Sequence, residues 1–118
     1  MKFVCISDTH NQHEKLTVPD ADIVIHSGDV TGSGSTRQIR EFCEWYGELP
    51  HKHKILIAGN HDWGFEKDYK KHKQICDDNG ITYLQDSGCE IDGIKFWGSP
   101  QTPEFFNWAF NCWRTLEE

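Results

Sequence analysis

Apolar positions fall in short unbroken blocks along the first 60 residues, with polar stretches between them. Three blocks rich in Val and Ile, "KFVCIS" (2–7), "ADIVIHS" (21–27) and "HKILIAG" (53–59), have the length of strands. Continuous apolar runs of that length predict strands buried on both faces, as in a parallel sheet. Between the second and third blocks, Ile39, Phe42, Cys43, Tyr46 and Leu49 recur at helical spacing and form one apolar stripe. Ser35 with Gln38 three residues on is a capping-box pattern, and Pro50 closes the helix. Strand, helix and parallel strand make a βαβ unit, for which a right-handed crossover is expected.

The periodicity weakens downstream. A second helix is expected from about Glu66 to Asp78, stopped by Asn79-Gly80, with Lys67, Lys70, Lys71 and Lys73 on a solvated face. "ITYLQ" (81–85) and "CEIDGIKFWG" (89–98) read as strands, and Asp92-Gly93 between Ile91 and Ile94 is a hairpin turn signal. Five aromatics, Phe105, Phe106, Trp108, Phe110 and Trp113, crowd the stretch 105–113. No repeat, linker or low-complexity tract interrupts the chain, so an α/β fold in one domain is expected.

Charge and cysteine usage narrow the function classes. A net charge of −7 argues against a nucleic-acid backbone as the main partner, because that contact needs clustered Lys and Arg. The cysteines at 5, 43, 76, 89 and 112 are odd in number and contain no C-x-x-C pair, so neither a zinc ribbon nor a disulfide framework is expected. Reduced thiols suit the cytoplasm. The start lacks the apolar region of a signal peptide, and no apolar run approaches the roughly 20 residues of a membrane span. A cytoplasmic protein without a membrane contact is expected.

Each of the three blocks ends in a polar cluster: "SDTH" with Asp8 and His10, "SGDV" with Asp29, and "GNHD" with Asn60, His61 and Asp62. In an open α/β sheet the carboxyl ends of the strands meet at one rim, where ligands bind. Carboxylate, imidazole and amide oxygen together suit a divalent metal pair such as Mn²⁺, Fe, Zn²⁺ or Mg²⁺. A His beside such a pair can protonate a leaving oxygen, and Asp62 could orient that ring. Each residue also has a plainer use. Asp8 could cap a helix over 9–15, and Gly28-Asp29 and Gly59-Asn60 could be simple turns. His26 reads as a core histidine, and His13, His51, His53 and His72 as surface residues. "TGSGST" (31–36) reads as a flexible loop with a helix cap, or as a phosphate cradle. Polar clusters on three consecutive strand ends favour the metal reading.

D-x-H, then G-D, then G-N-H-D, each after an apolar strand, resembles the calcineurin-like metallophosphoesterases. "YLQDS" (83–87), "GSPQTPEF" (98–105) and "NWAFN" (107–111) are most similar to the branch of metallophosphoesterase-domain-containing proteins linked to cyclic-nucleotide phosphodiesters. The resemblance implies the N-terminal part of a four-layer αββα sandwich, with a mixed sheet, a βαβαβ start and then a hairpin. It implies two divalent metal ions, Mn²⁺ foremost. Asp8 and His10 would hold the first, Asp29 would bridge, and Asn60 would hold the second and lie near the phosphate. His61 would be the acid or phosphate contact, supported by Asp62. The implied reaction is hydrolysis of a phosphomonoester or phosphodiester, cyclic nucleotides included, by in-line attack of a metal-activated hydroxide.

The family's further metal-binding histidines lie in downstream G-H and G-x-H motifs, and this sequence has no His after His72. The expectation is therefore a phosphoesterase domain over 1–118 that is truncated at its C-terminus. The alternative is a non-catalytic metal- or nucleotide-binding module, or an inactive fragment. The aromatic segment is expected to leave an apolar patch through which the chain self-associates.

Overall fold

The computed structural model describes residues 1–103 and 108–112. Four strands, β1 (Phe3–Ile6), β2 (Ile23–His26), β3 (His53–Leu56) and β4 (Thr82–Tyr83), form one parallel sheet in the order β1-β2-β3-β4. The register places Phe3 beside Ile23 and Ile23 beside His53. The four expected strands are present but shorter by two or three residues. Pairing still carries over, as Ser27 N–H donates to Ile6 O and Ile57 N–H to His26 O.

Helix α1 (Thr36–Gly47) connects β2 to β3, and the Ser35 side chain accepts from Gln38 N–H as the cap. Its stripe is buried at Ile39, Phe42, Cys43 and Tyr46, against Val24 and Leu56 of the sheet. The Tyr46 hydroxyl donates to Ile55 O at 2.7 Å and lies 3.1 Å from Val24 O. The stripe thus grips both strands of the βαβ unit.

The second helix is two helices, α2 (Trp63–Lys67) and α3 (Tyr69–Asp78), broken at Asp68. Asp68 has a non-helical backbone, and its carboxylate accepts from Lys71 N–H to cap α3. A short polar side chain that competes for backbone donors favours a cap over a helix interior.

The hairpin forms as expected, from β5 (Ser87–Ile91) and β6 (Ile94–Gly98) around Asp92-Gly93. Both turn residues have positive φ, 50° and 80°, which suits a two-residue primed turn. The hairpin is a separate two-stranded sheet and covers the face of the parallel sheet opposite the helices. There Ile23, Ile55 and Leu84 pack with Ile25, Ile57, Cys89, Ile91 and Phe96. Strand β1 is not buried on both faces as expected, since it is the sheet edge and Phe3 stays 42% exposed. A third pair, β7 (Thr102–Pro103) with β8 (Asn111–Cys112), is parallel.

Three histidines expected at the surface are buried: His13, His51 and His72 are each 3% exposed. An imidazole combines an apolar ring with one or two polar atoms, and each ring packs or bonds within the fold, although Nδ1 of His13 and of His51 finds no partner among the described residues. His13 lies between Phe42 and Trp45, His51 Nε2 donates to Pro19 O at 2.8 Å, and His72 Nδ1 donates to Asp68 O at 2.7 Å. The expected aromatic patch also changes. Phe110 is buried and Trp108 is half-buried against His61, so neither is free to join an exposed patch. Phe105, Phe106 and Trp113 lie outside the described residues.

Candidate metal centre

The loops after β1 and β2 run side by side. Asp8 N–H donates to Gly28 O, His10 N–H to Asp29 O and Asn11 N–H to Val30 O, all within 3.0 Å. The chain accepts unusual backbone geometry to do this, because Asp8, His10, Asn11 and Asp29 all have φ between 44° and 63°. Left-handed backbone at a residue other than Gly costs of order 1–3 kcal/mol and clusters where function requires it. Asp8 caps no helix: the helical segment that follows is a 3₁₀ turn, His13–Lys15, with Gln12 at its start.

These loops bring Asp8, His10 and Asp29 together, with one potential ligand atom from each within 4.8 Å of the others. His10 Nε2 lies 3.7 Å from Asp8 Oδ1 and 4.0 Å from Asp29 Oδ2. Its Nδ1 lies 3.2 Å from Thr31 O, and a carbonyl can only accept, so Nδ1 carries the proton. That bond fixes the tautomer and leaves the Nε2 lone pair facing the carboxylates, as metal-ligating histidines require. The donor set fits a divalent ion.

The loop after β3 closes the rim. A Cβ on Gly59 would meet the Asp29 amide and carboxylate, and one on Gly28 would lie 2.9 Å from Gly59 Cα. Only bare backbone allows the second and third loops to approach this closely. His61 N–H then donates to Asp29 Oδ1 at 3.0 Å, and His61 Nδ1 donates to Gly32 O at 3.2 Å. Asn60 lines a cavity of about 250 Å³ together with Asp8, Asp29, Ser99, Gln101 and Thr102.

Asp62 has a different task from the one expected. Its buried carboxylate accepts from the N–H groups of Val30, Thr31 and Gly59 and from the Thr31 hydroxyl, rather than from the His61 ring. Burial pushes this carboxyl above the usual range, and the Thr31 hydroxyl and the three amides pull against that. Asp62 ties the second loop to the third.

His26 is a core histidine, fully buried beneath the rim. Gly28 N–H donates to its Nδ1, so Nε2–H points at the Thr9 hydroxyl 3.0 Å away. Burial lowers its pKa to about 4, so the ring is neutral and braces the loop that carries Asp8 and His10.

The strand-end pattern names Asp8, His10, Asp29, Asn60 and His61, and the structure gathers all five at one rim. It does not name Thr31 and Gly32, whose carbonyls orient the two imidazoles. The loop that reads as flexible is the one that aims the histidines. Backbone carbonyls carry no sequence signal, so only the structure reveals them.

The sequence signature described as calcineurin-like phosphoesterase matches residues 1–111. The chain belongs to the calcineurin-like phosphoesterase family. It is 42% identical to UPF0046 protein K07C11.7 of Caenorhabditis elegans, in an alignment that covers 87% of this chain and 40% of that protein. It is 35% identical to human metallophosphoesterase domain-containing protein 1, in an alignment that covers 93% of this chain and 40% of that protein. Against UPF0046 protein C25E10.12 of Caenorhabditis elegans the identity is 44%, over 85% of this chain and 41% of that protein. The chain thus spans about two-fifths of the length of these relatives. The parallel sheet and hairpin are consistent with the N-terminal part of a metallophosphoesterase fold.

Proposed function

We propose that this chain carries the metal-binding half-site of a phosphoesterase acting on a small-molecule phosphomonoester or phosphodiester, with cyclic nucleotides in range. The observation that carries this reading is the convergence of Asp8, His10 and Asp29, with His10 held in the ligating tautomer by Thr31. Asp8, His10 and Asp29 would hold one ion, and Asn60, in the wall of the adjoining cavity, would join Asp29 in holding the second. Two divalent ions, with Mn²⁺ foremost, supply Lewis-acid charge to the phosphate when bound. His61 is the proton donor: Nδ1–H is committed to Gly32 O, so the imidazolium form would deliver its Nε2 proton to the departing oxygen and remain as the neutral Nδ1–H tautomer. Asp62 acts on that step only by holding the two loops in register. A reducing compartment, the cytoplasm, suits the free thiols of Cys5, Cys43, Cys76 and Cys89.

A second reading is favoured by one observation. The described residues contain a single cluster of His and acidic ligands, and the chain covers about two-fifths of its relatives. A module that binds one ion without turnover would look the same. Titrating Mn²⁺ into the chain while following hydrolysis of bis(p-nitrophenyl) phosphate separates the two. Two ions with turnover support the phosphoesterase, whereas one weakly held ion with no hydrolysis supports the module.

A further inference from the structure

The geometry points to Trp108 as the positioning residue of the His61 imidazole, a role that rests on the reading of His61 as the proton donor. The Trp108 and His61 rings lie with centroids 4.2 Å apart and planes inclined by 39°. The tryptophan arrives on a fastened segment. Ala109 N–H donates to Asn60 O at 3.1 Å, Phe110 N–H donates to the Glu66 carboxylate, and Thr102 N–H donates to Phe110 O at 3.0 Å. Ala109 and Phe110 are buried, and Phe110 is held at φ 58°. A bulky residue keeps that left-handed conformation only where its surroundings over-determine it.

The imidazole needs such a wall. Its hydrogen bond to Gly32 O fixes one nitrogen but lets the ring pivot about that bond. The His10 ring meets it edge-on, with centroids 5.0 Å apart, and so limits the pivot on one side. Trp108 is a second and closer aromatic neighbour, and offset or tilted ring pairs gain about 0.5–1.5 kcal/mol beyond their buried area. The same stretch of chain that bonds Asn60 therefore sets where His61 Nε2 points. Asn60 and His61 are positioned together from a segment nearly 50 residues downstream.

Proton NMR on the full chain, without metal or substrate, tests this. Cross-relaxation peaks between the Trp108 indole and the His61 ring are expected in the unaltered chain. Trp108→Leu should move the His61 ring signals, and Trp108→Phe should restore most of their position. His26 ring signals and Mn²⁺ affinity should stay unchanged in both variants. Glu66→Gln, which weakens the clamp without touching the indole, should move the His61 signals part of the way. Missing cross-peaks in the unaltered chain would overturn the role, and that holds even if a variant fails to fold. So would His61 signals indifferent to Trp108→Leu, or a fall in Mn²⁺ affinity alongside their movement, which would mean general collapse of the rim. Failure to hydrolyse a phosphate ester would count against the proposed function and leave these signals as they are.

Discussion

The backbone N–H of His61 donates to Oδ1 of Asp29 at 3.0 Å, while Oδ2 of the same carboxylate faces His10 Nε2 at 4.0 Å. One side chain thus locks the third rim loop to the second with one oxygen and presents the other to the metal centre. This division separates two functions that a substitution can dissect. Asp29→Asn keeps an oxygen for His61 N–H and tolerates the φ of 57°, but removes the charge. We expect it to fold normally and to bind Mn²⁺ at least about 100-fold more weakly, beyond the 10–100-fold typical of residues behind the ligands. Asp29→Ala should lose stability as well. Calorimetric titration with urea unfolding checks both, and unchanged Mn²⁺ affinity in Asp29→Asn would contradict the assignment.

Gly59→Ala drives a methyl group into the Asp29 amide and carboxylate, both held by backbone. Overpacking of this kind costs about 1–3 kcal/mol. Because the clash falls on Asp29, Mn²⁺ affinity should drop together with the melting temperature. Ala at 59 with unaltered affinity would show that the close approach of the loops does not shape the centre.

His26 predicts a pH dependence of stability. Its pKa is about 4 when folded against 6.5 when unfolded, so the unfolded chain takes up the proton first as pH falls. The neutral ring's contribution is complete above about pH 6.5 and is lost progressively down to pH 4. At pH 5 the loss is roughly 2 kcal/mol relative to pH 8. His13, also lowered by burial, acts in the same direction. Urea midpoints measured between pH 8 and 5 should fall, and the His26→Gln variant should show a shallower slope. An equal slope in both would remove His26 as the cause.

Asp62→Ala leaves the amides of Val30, Thr31 and Gly59 without their buried acceptor. Each unsatisfied buried donor costs about 1–3 kcal/mol, so a loss of about 3 kcal/mol or more is expected in denaturant unfolding. A loss below about 1 kcal/mol would mean that water replaces the carboxylate and that Asp62 does not hold the rim.

How much of this was legible in the sequence depends on whether side chains or backbone carry the information. The Val- and Ile-rich blocks and the α1 stripe announce the parallel βαβ unit, because burial on both faces demands continuous apolar runs. The polar residues at the strand ends announce the rim for the opposite reason: nothing in a core calls for them. Asp68 was legible only as a helix residue, since its capping competes with periodicity. The burial of His13, His51 and His72 follows from ring partners distant in sequence, Trp45, Pro19 and Thr36 respectively, which no local pattern displays. The orienting carbonyls of Thr31 and Gly32 were illegible altogether.

The central claim is that Asp8, His10 and Asp29 form a metal centre at the strand rim. Anomalous diffraction from crystals of the chain soaked in Mn²⁺ tests it most directly. The account predicts the strongest anomalous peak among these three side chains, in contact with His10 Nε2 and with oxygens of both carboxylates. No peak there, or a Mn²⁺ ion held elsewhere while this cluster stays empty, would contradict it.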